Sequence, residues 1–261
     1  MILALIGAPG SHGLPTVDDE LARAQRNVSA ARRHGNVPCY KRGNAQRPVL
    51  ILFGAFGRHN FGDLLMPHVV STLLAQYPHE QQVVYADLDS ADMRPFGGHC
   101  VAAIGDLLRM PGRTNVVHVG GETIGVSVGT AAAFIGKPIS SLPWHPASTG
   151  TSLRLGDPAY VLDKRAFRNP GAFIANSIGG TPAGPEEPRL RQFDFIGVRE
   201  HRTLHALRGL GLPAQWTPDS VFALRALFEA RIRTTPRSVL HIQRACSETG
   251  YVAVQLKESY L

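Results

Sequence analysis

The chain has 261 residues, of which 44% are apolar, and a formal charge of +7 from 27 Lys and Arg against 20 Asp and Glu. That composition supplies a folded core and excludes a disordered or fibrous chain. No stretch approaches the ~18 apolar residues of a membrane-spanning helix.

The positive excess is nearly all arginine, since only Lys41, Lys137, Lys164 and Lys257 are lysine. Such a field favours anions, and arginine suits bidentate contact with phosphate or carboxylate. A high-GC coding bias toward arginine accounts for the same count. Cys39, Cys100 and Cys246 are too few and too scattered for a CxxC centre or a disulfide framework. A soluble protein of a reducing, cytoplasmic compartment is the expectation.

In chain order, residues 1–48 read as an N-terminal extension and linker. The run Met1–Ile6 is too short for a signal-peptide core. Gly7-Ala-Pro-Gly-Ser-His-Gly13 lacks the Lys-Ser/Thr pair of a phosphate loop. Residues 18–33 are polar and helical in composition, and 36–48 have linker chemistry.

From Val49 the texture becomes regular. Apolar runs at 49–53, 83–86, 101–104, 116–119, 172–175 and 195–198 read as strands. Several are continuous rather than alternating, as buried parallel strands are. Helical patterns at 64–76, 130–135 and 203–210 separate them. The alternation predicts an α/β, Rossmann-like parallel sheet over 49–235. Residues 137–157, with Trp144 and His145, and 179–188 read as Pro/Gly-rich loops. A last strand at 252–256 either joins the sheet edge or opens another domain; the second is preferred, with 236–261 the linker and start of a truncated second domain.

Gly54-Ala-Phe-Gly-Arg-His-Asn-Phe-Gly-Asp63 is the most informative stretch. It has the layout of a strand, a glycine-rich turn and a helix start. Glycines let backbone approach a ligand, and a helix start suits an anion. His118-Val-Gly120-Gly121-Glu122 follows another strand. Gly197-Val-Arg199-Glu200-His201-Arg202, and then Thr217-Pro218-Asp219-Ser220, follow a third.

In their order and spacing these motifs, over about 49–225, resemble the polysaccharide pyruvyl transferase family. That family has an Asn-x-Gly-Asp element, a Gly-Gly-Gly turn and a Val-Arg-Glu-Arg-like segment. Two departures stand out: Glu122 replaces the third glycine, and His201 stands where a second basic residue is usual. The resemblance implies a GT-B-like pair of Rossmann-like domains, of which this chain holds the N-terminal one. It implies transfer of a pyruvyl group from phosphoenolpyruvate to a hexose of a surface polysaccharide or its precursor. The family's second domain supplies basic residues to the donor phosphate, so this short chain alone is expected to hold half a cleft and can be inactive.

Such a transfer needs cations for phosphate and carboxylate, an acid for the methylene carbon and a base for the sugar hydroxyl. Asp63, His59 and Glu122 are the candidate acid–base residues. Gly57, Asn60, Gly62, Gly120, Gly121 and Arg199 are the candidate substrate-binding residues. Each has a structural reading beside it. Asp63 can be a helix N-cap, Asn60 a turn residue, and Arg199 the partner of Glu200 or Asp194. His118, inside an apolar strand, reads as a core histidine, and Asp219 as a turn former.

No cofactor is expected, and no metal-ligand spacing or nucleic-acid module is visible. Two rival readings share the fold: a GT-B-type glycosyltransferase using a nucleotide sugar, and a non-catalytic truncated domain that binds a sugar or a partner.

Overall fold

The computed structural model describes residues 48–58, 60–77, 80–137, 155–228, 237–244 and 252–259. The predicted extension up to residue 47, His59, Trp144 and His145 lie outside them. The chain divides into two compact units, one ending at Phe222 and the other Ala223–Leu261.

Strand β1, Val49–Phe53, is buried along its whole length. Its residues alternate between two cores. Val49, Ile51 and Phe53 pack with Val116, Phe173 and Ile196, whereas Leu50 and Leu52 pack with Leu64, Val70 and Val117. Both faces are therefore covered, which is why the run is continuously apolar. Helix α1, Phe61–Leu74, covers the second face with Leu64 and Val70, and with Met66 and Leu74 packed beside them. It continues through Pro67, which has no N–H to give the Asp63 carbonyl.

The remaining strands of the first unit are β2 (Gln82–Asp87), β3 (Ala91–Asp92), β4 (Cys100–Ala103), β5 (Thr114–Val119), β6 (Glu122–Ile124), β7 (Pro170–Gly180), β8 (Phe195–Val198) and β9 (Ala214–Trp216). Their order is β3-β4-β2-β1-β5-β7-β8-β9, with β6 added to β7. All pairs are parallel except β3 with β4. The predicted mixed α/β fold with a mostly parallel sheet is present.

Helix α2 (Ile104–Leu107) starts where the sequence suggested the end of a strand. Helix α3, Val128–Ile135, is capped by Ser127, whose hydroxyl accepts from Thr130 N at 3.1 Å. Helices α4 (Glu187–Leu190) and α5 (His201–Gly209) precede and follow β8.

Two strands break at their carboxyl ends. Gly120 and Gly121, both at positive φ, separate β5 from β6. Ser177, at φ 55°, sits where the β7–β8 register shifts between Ala175 and Ile178.

Cys100 is disulfide-bonded, with its partner outside the described residues. No described helix is long and apolar enough to cross a membrane. In the second unit, helix α6 (Leu224–Phe228) precedes β10 (Arg237–Arg244) and β11 (Val252–Ser259), which pair antiparallel in a sheet of their own. The last strand thus does not join the large sheet.

Candidate active site

In an open parallel sheet the ligand crevice lies at the carboxyl ends of the strands, where successive connections leave in opposite directions. Here that point lies between β1 and β5. The chain leaves β1 toward β2 on one side and leaves β5 toward β7 on the other. The turns beginning at Gly54 and Gly120 flank it.

The first turn is tightly determined. Asn60 is the cap of α1: its Oδ1 accepts from Gly62 N at 3.0 Å, and its carbonyl accepts the first helical bond from Leu64 N. Asp63 is therefore not the cap. It stands within the first turn, where the dipole favours a carboxylate. Its side chain is only 12% exposed and lies 2.9 Å from Arg58 Nη2. Burial raises its proton affinity above the usual carboxylate range, opposed by Arg58 and, more weakly, by Arg199. The Arg58 guanidinium also lies 5.6 Å over the Phe134 ring.

Asp87, at the end of β2, holds this turn from behind. Its carboxylate accepts from Gly57 N at 2.8 Å, Leu88 N at 2.6 Å and Tyr160 Oη at 3.1 Å. Burial pushes its pKa to about 6 despite these donors. Burial, and then the neighbouring Asp87, push the Tyr160 hydroxyl well up. Lys137, just beyond α3, pairs with Asp89 beside them.

The other strand ends close onto Asp63. A Cβ built on Gly121 would lie 3.9 Å from Asp63 Oδ1. The Gly121 carbonyl accepts from Gly179 N at 2.8 Å. A Cβ on Gly179 would stand 3.0 Å from Arg199 Nε. Arg199 pairs with Asp219 at 3.1 Å, not with Glu200 or Asp194. Glu200 instead accepts from Gly180 N and Thr203 Oγ1 and holds Arg202. The three motifs of the sequence thus meet along one sheet edge.

A family model, polysaccharide pyruvyl transferase, matches residues 60–257. The chain belongs to the polysaccharide pyruvyl transferase family. Comparisons with curated proteins and with solved structures give no match.

Against that family assignment, the geometry separates the candidate residues. Asn60, Asp63, Gly121 and Arg199 are brought together. Gly57 and Gly62 donate their N–H groups internally, to Asp87 and Asn60, and Gly120 donates to the Asn176 carbonyl. Of the three, only Gly62 leaves open space, with Asn60 Oδ1 alone near an added Cβ; the space beside Gly57 and Gly120 is taken by Asp87 and Met66.

Glu122 is exposed and pairs with Arg202 at 3.1 Å. His118 is a core histidine, edge-on to Phe53, with Nε2 accepting from Leu162 N. Burial pushes it down to about 3, so it stays neutral.

Arg58, Asp87, Tyr160 and Gly179 were not legible as site residues. Arg58 lay within the first motif, but its ion pair depends on the fold of the turn. Among the described residues no cluster of three or more His, Cys, Asp and Glu could hold a metal ion.

Proposed function

We propose that the protein transfers the pyruvyl group of phosphoenolpyruvate to a hexose of a surface polysaccharide or its precursor. The observation that carries this reading is the meeting of Asp63, Gly121 and Arg199 at the β1–β5 switch point. There a carboxylate that burial makes more basic lies beside an arginine with unspent N–H groups.

In this reading Arg199 holds the donor's phosphate or carboxylate with its planar fork. Asp63 takes the proton of the attacking hydroxyl. Two acceptor oxygens bond to the donor's central carbon, the methylene gains a proton to become methyl, and the C–O bond to phosphate breaks. Of the two hydroxyl protons, one ends on the methyl group and the other on phosphate, leaving a cyclic ketal. Glu122 and His59 are further candidates for acid–base work. Asn60, Gly57, Gly62 and Gly120 shape the crevice. The family resemblance supports a GT-B-like architecture, with 49–235 as one Rossmann-like domain and 236–261 opening a second.

The test is phosphate release from phosphoenolpyruvate that depends on a hexose-containing acceptor, with the ketal methyl seen by NMR. Turnover of a nucleotide sugar, with phosphoenolpyruvate inert, would replace this reading by glycosyl transfer. Arg199→Ala should weaken donor binding about 10- to 100-fold, the worth of a charged hydrogen bond. Its melting temperature should stay nearly unchanged, because the pair with Asp219 is partly solvated. A variant that melts much lower yet binds the donor normally makes Arg199 structural.

A further inference from the structure

Arg58 lies inside the first motif but at none of its matched positions. Its contact with Asp63 is a single 2.9 Å approach, and 31% of its side chain remains exposed. Its Nε is buried with no hydrogen-bond partner among the described residues. Some arginines of this chain engage a carboxylate through two nitrogens at once, whereas Arg199 and Arg202 use one. Arg94 grips Asp92, and Arg165 grips Asp163, through both Nε and Nη2. Arg58 instead has one carboxylate on one side and the face of Phe134 on the other. Phe134 is itself 64% exposed, so this stack lies at the open side of the crevice. A guanidinium has five N–H donors in a planar fork, and most of these have no partner among the described residues.

We propose that Arg58 is a second clamp for the anionic groups of the pyruvyl donor, held at Asp63 until the donor arrives, and that its move onto the donor leaves the Asp63 carboxylate to accept the hydroxyl proton. The assignment rests on the donor reading above. Charged groups act on this pair from several elements. Arg58 acts on Asp63 from the turn after β1, and Arg199 from the end of β8. Asp87, at the end of β2, and Tyr160 face Arg58 from behind. Asp89 and Lys137 are paired to each other beside the site.

Burial alone drives Asp63 toward holding a proton, and Arg58 is the largest opposing influence. Withdrawing Arg58 to a phosphate therefore strengthens the carboxylate as a base just when a substrate hydroxyl needs one. The same rise in proton affinity couples donor binding to fractional proton uptake at Asp63, the fraction still ionised being the stronger base.

The test is calorimetric titration of phosphoenolpyruvate into the full chain at pH 7, in two buffers of different ionisation enthalpy. The wild type should bind with proton uptake. Arg58→Met should bind about 10- to 100-fold more weakly, and Arg58→Lys should recover part of that loss. Asp63→Asn should bind at least as tightly as wild type and take up fewer protons, which removes the ligand's own titration from the comparison. Melting curves establish that each variant is folded; if Arg58→Met is not, Arg58→Lys and Asp63→Asn carry the test. Binding by a folded Arg58→Met within twofold of wild type, or equal proton uptake by Asp63→Asn, overturns the assignment alone. A wild type that does not bind phosphoenolpyruvate overturns the donor reading and this assignment with it.

Discussion

At the scale of single residues, Gly179 shows how a missing side chain can position a present one. Its φ lies outside the left-handed region, so its backbone does not demand glycine. A Cβ there would stand 3.0 Å from Arg199 Nε and 3.3 Å from Glu200 Oε1. Both are ends of flexible side chains and can yield at small cost in stability. The Arg199 guanidinium thus lies across Gly179 and is aimed by that vacancy. Gly179→Ala should leave stability within about 1 kcal/mol of wild type, the range of a small accommodated change. It should also raise the Kd for phosphoenolpyruvate several-fold by displacing Arg199. Titration of the donor beside a denaturant melt checks both parts, and a large loss of stability with unchanged affinity would refute the aiming role.

At the scale of elements, the turn after β5 is dictated by the helix above it. Gly120 is at φ 44°, and an added Cβ would fall 2.3 Å from Met66 Sδ on α1. Gly120→Ala should cost about 1–3 kcal/mol through backbone strain and overpacking. Met66→Ala in the same chain should remove the steric part, leaving the φ strain. A double-mutant cycle by chemical denaturation reads that coupling, and simple additivity would exclude the contact as the cause.

The same scale shows where sequence is informative. Val49–Phe53 and Phe195–Val198 were legible because a strand buried on both faces must be apolar throughout. β9 was not, since two of its three residues, Gln215 and Trp216, face solvent. β6 was hidden because it follows directly on the Gly-Gly turn. β7 runs five residues beyond its apolar segment, through Asn176-Ser177-Ile178-Gly179-Gly180, which has the composition of a loop. It persists because Ser177 takes the left-handed conformation and bonds to the Pro218 carbonyl at 2.6 Å. Within the site, Asn60, Asp63, Gly121 and Arg199 were legible as local motifs. The Asp87–Tyr160 pair spans 73 positions of sequence and depends on folding to exist.

For the whole molecule, two buried groups in the first unit give stability opposite dependences on pH. His118 titrates near 3 when folded, against 6.5 for an exposed imidazole, because burial disfavours its charge. Below pH 6.5 the unfolded chain binds a proton that the folded chain refuses, so this contribution falls as pH falls. Asp87 is the reverse. Its folded value of about 6 lies above the ordinary 3.8. Between those values the folded chain keeps a proton that the unfolded chain has released, so this contribution falls as pH rises. Each proton of difference changes stability by about 1.4 kcal/mol per pH unit. The stability of wild type relative to His118→Phe should therefore decline by about that slope as pH drops from 6.5 toward 4. Relative to Asp87→Asn it should decline by up to about 3 kcal/mol as pH rises from 4 to 6. Denaturant melts of the three proteins across this range check both. Because each comparison subtracts every other titrating group, two flat difference curves would show that neither side chain is buried as described.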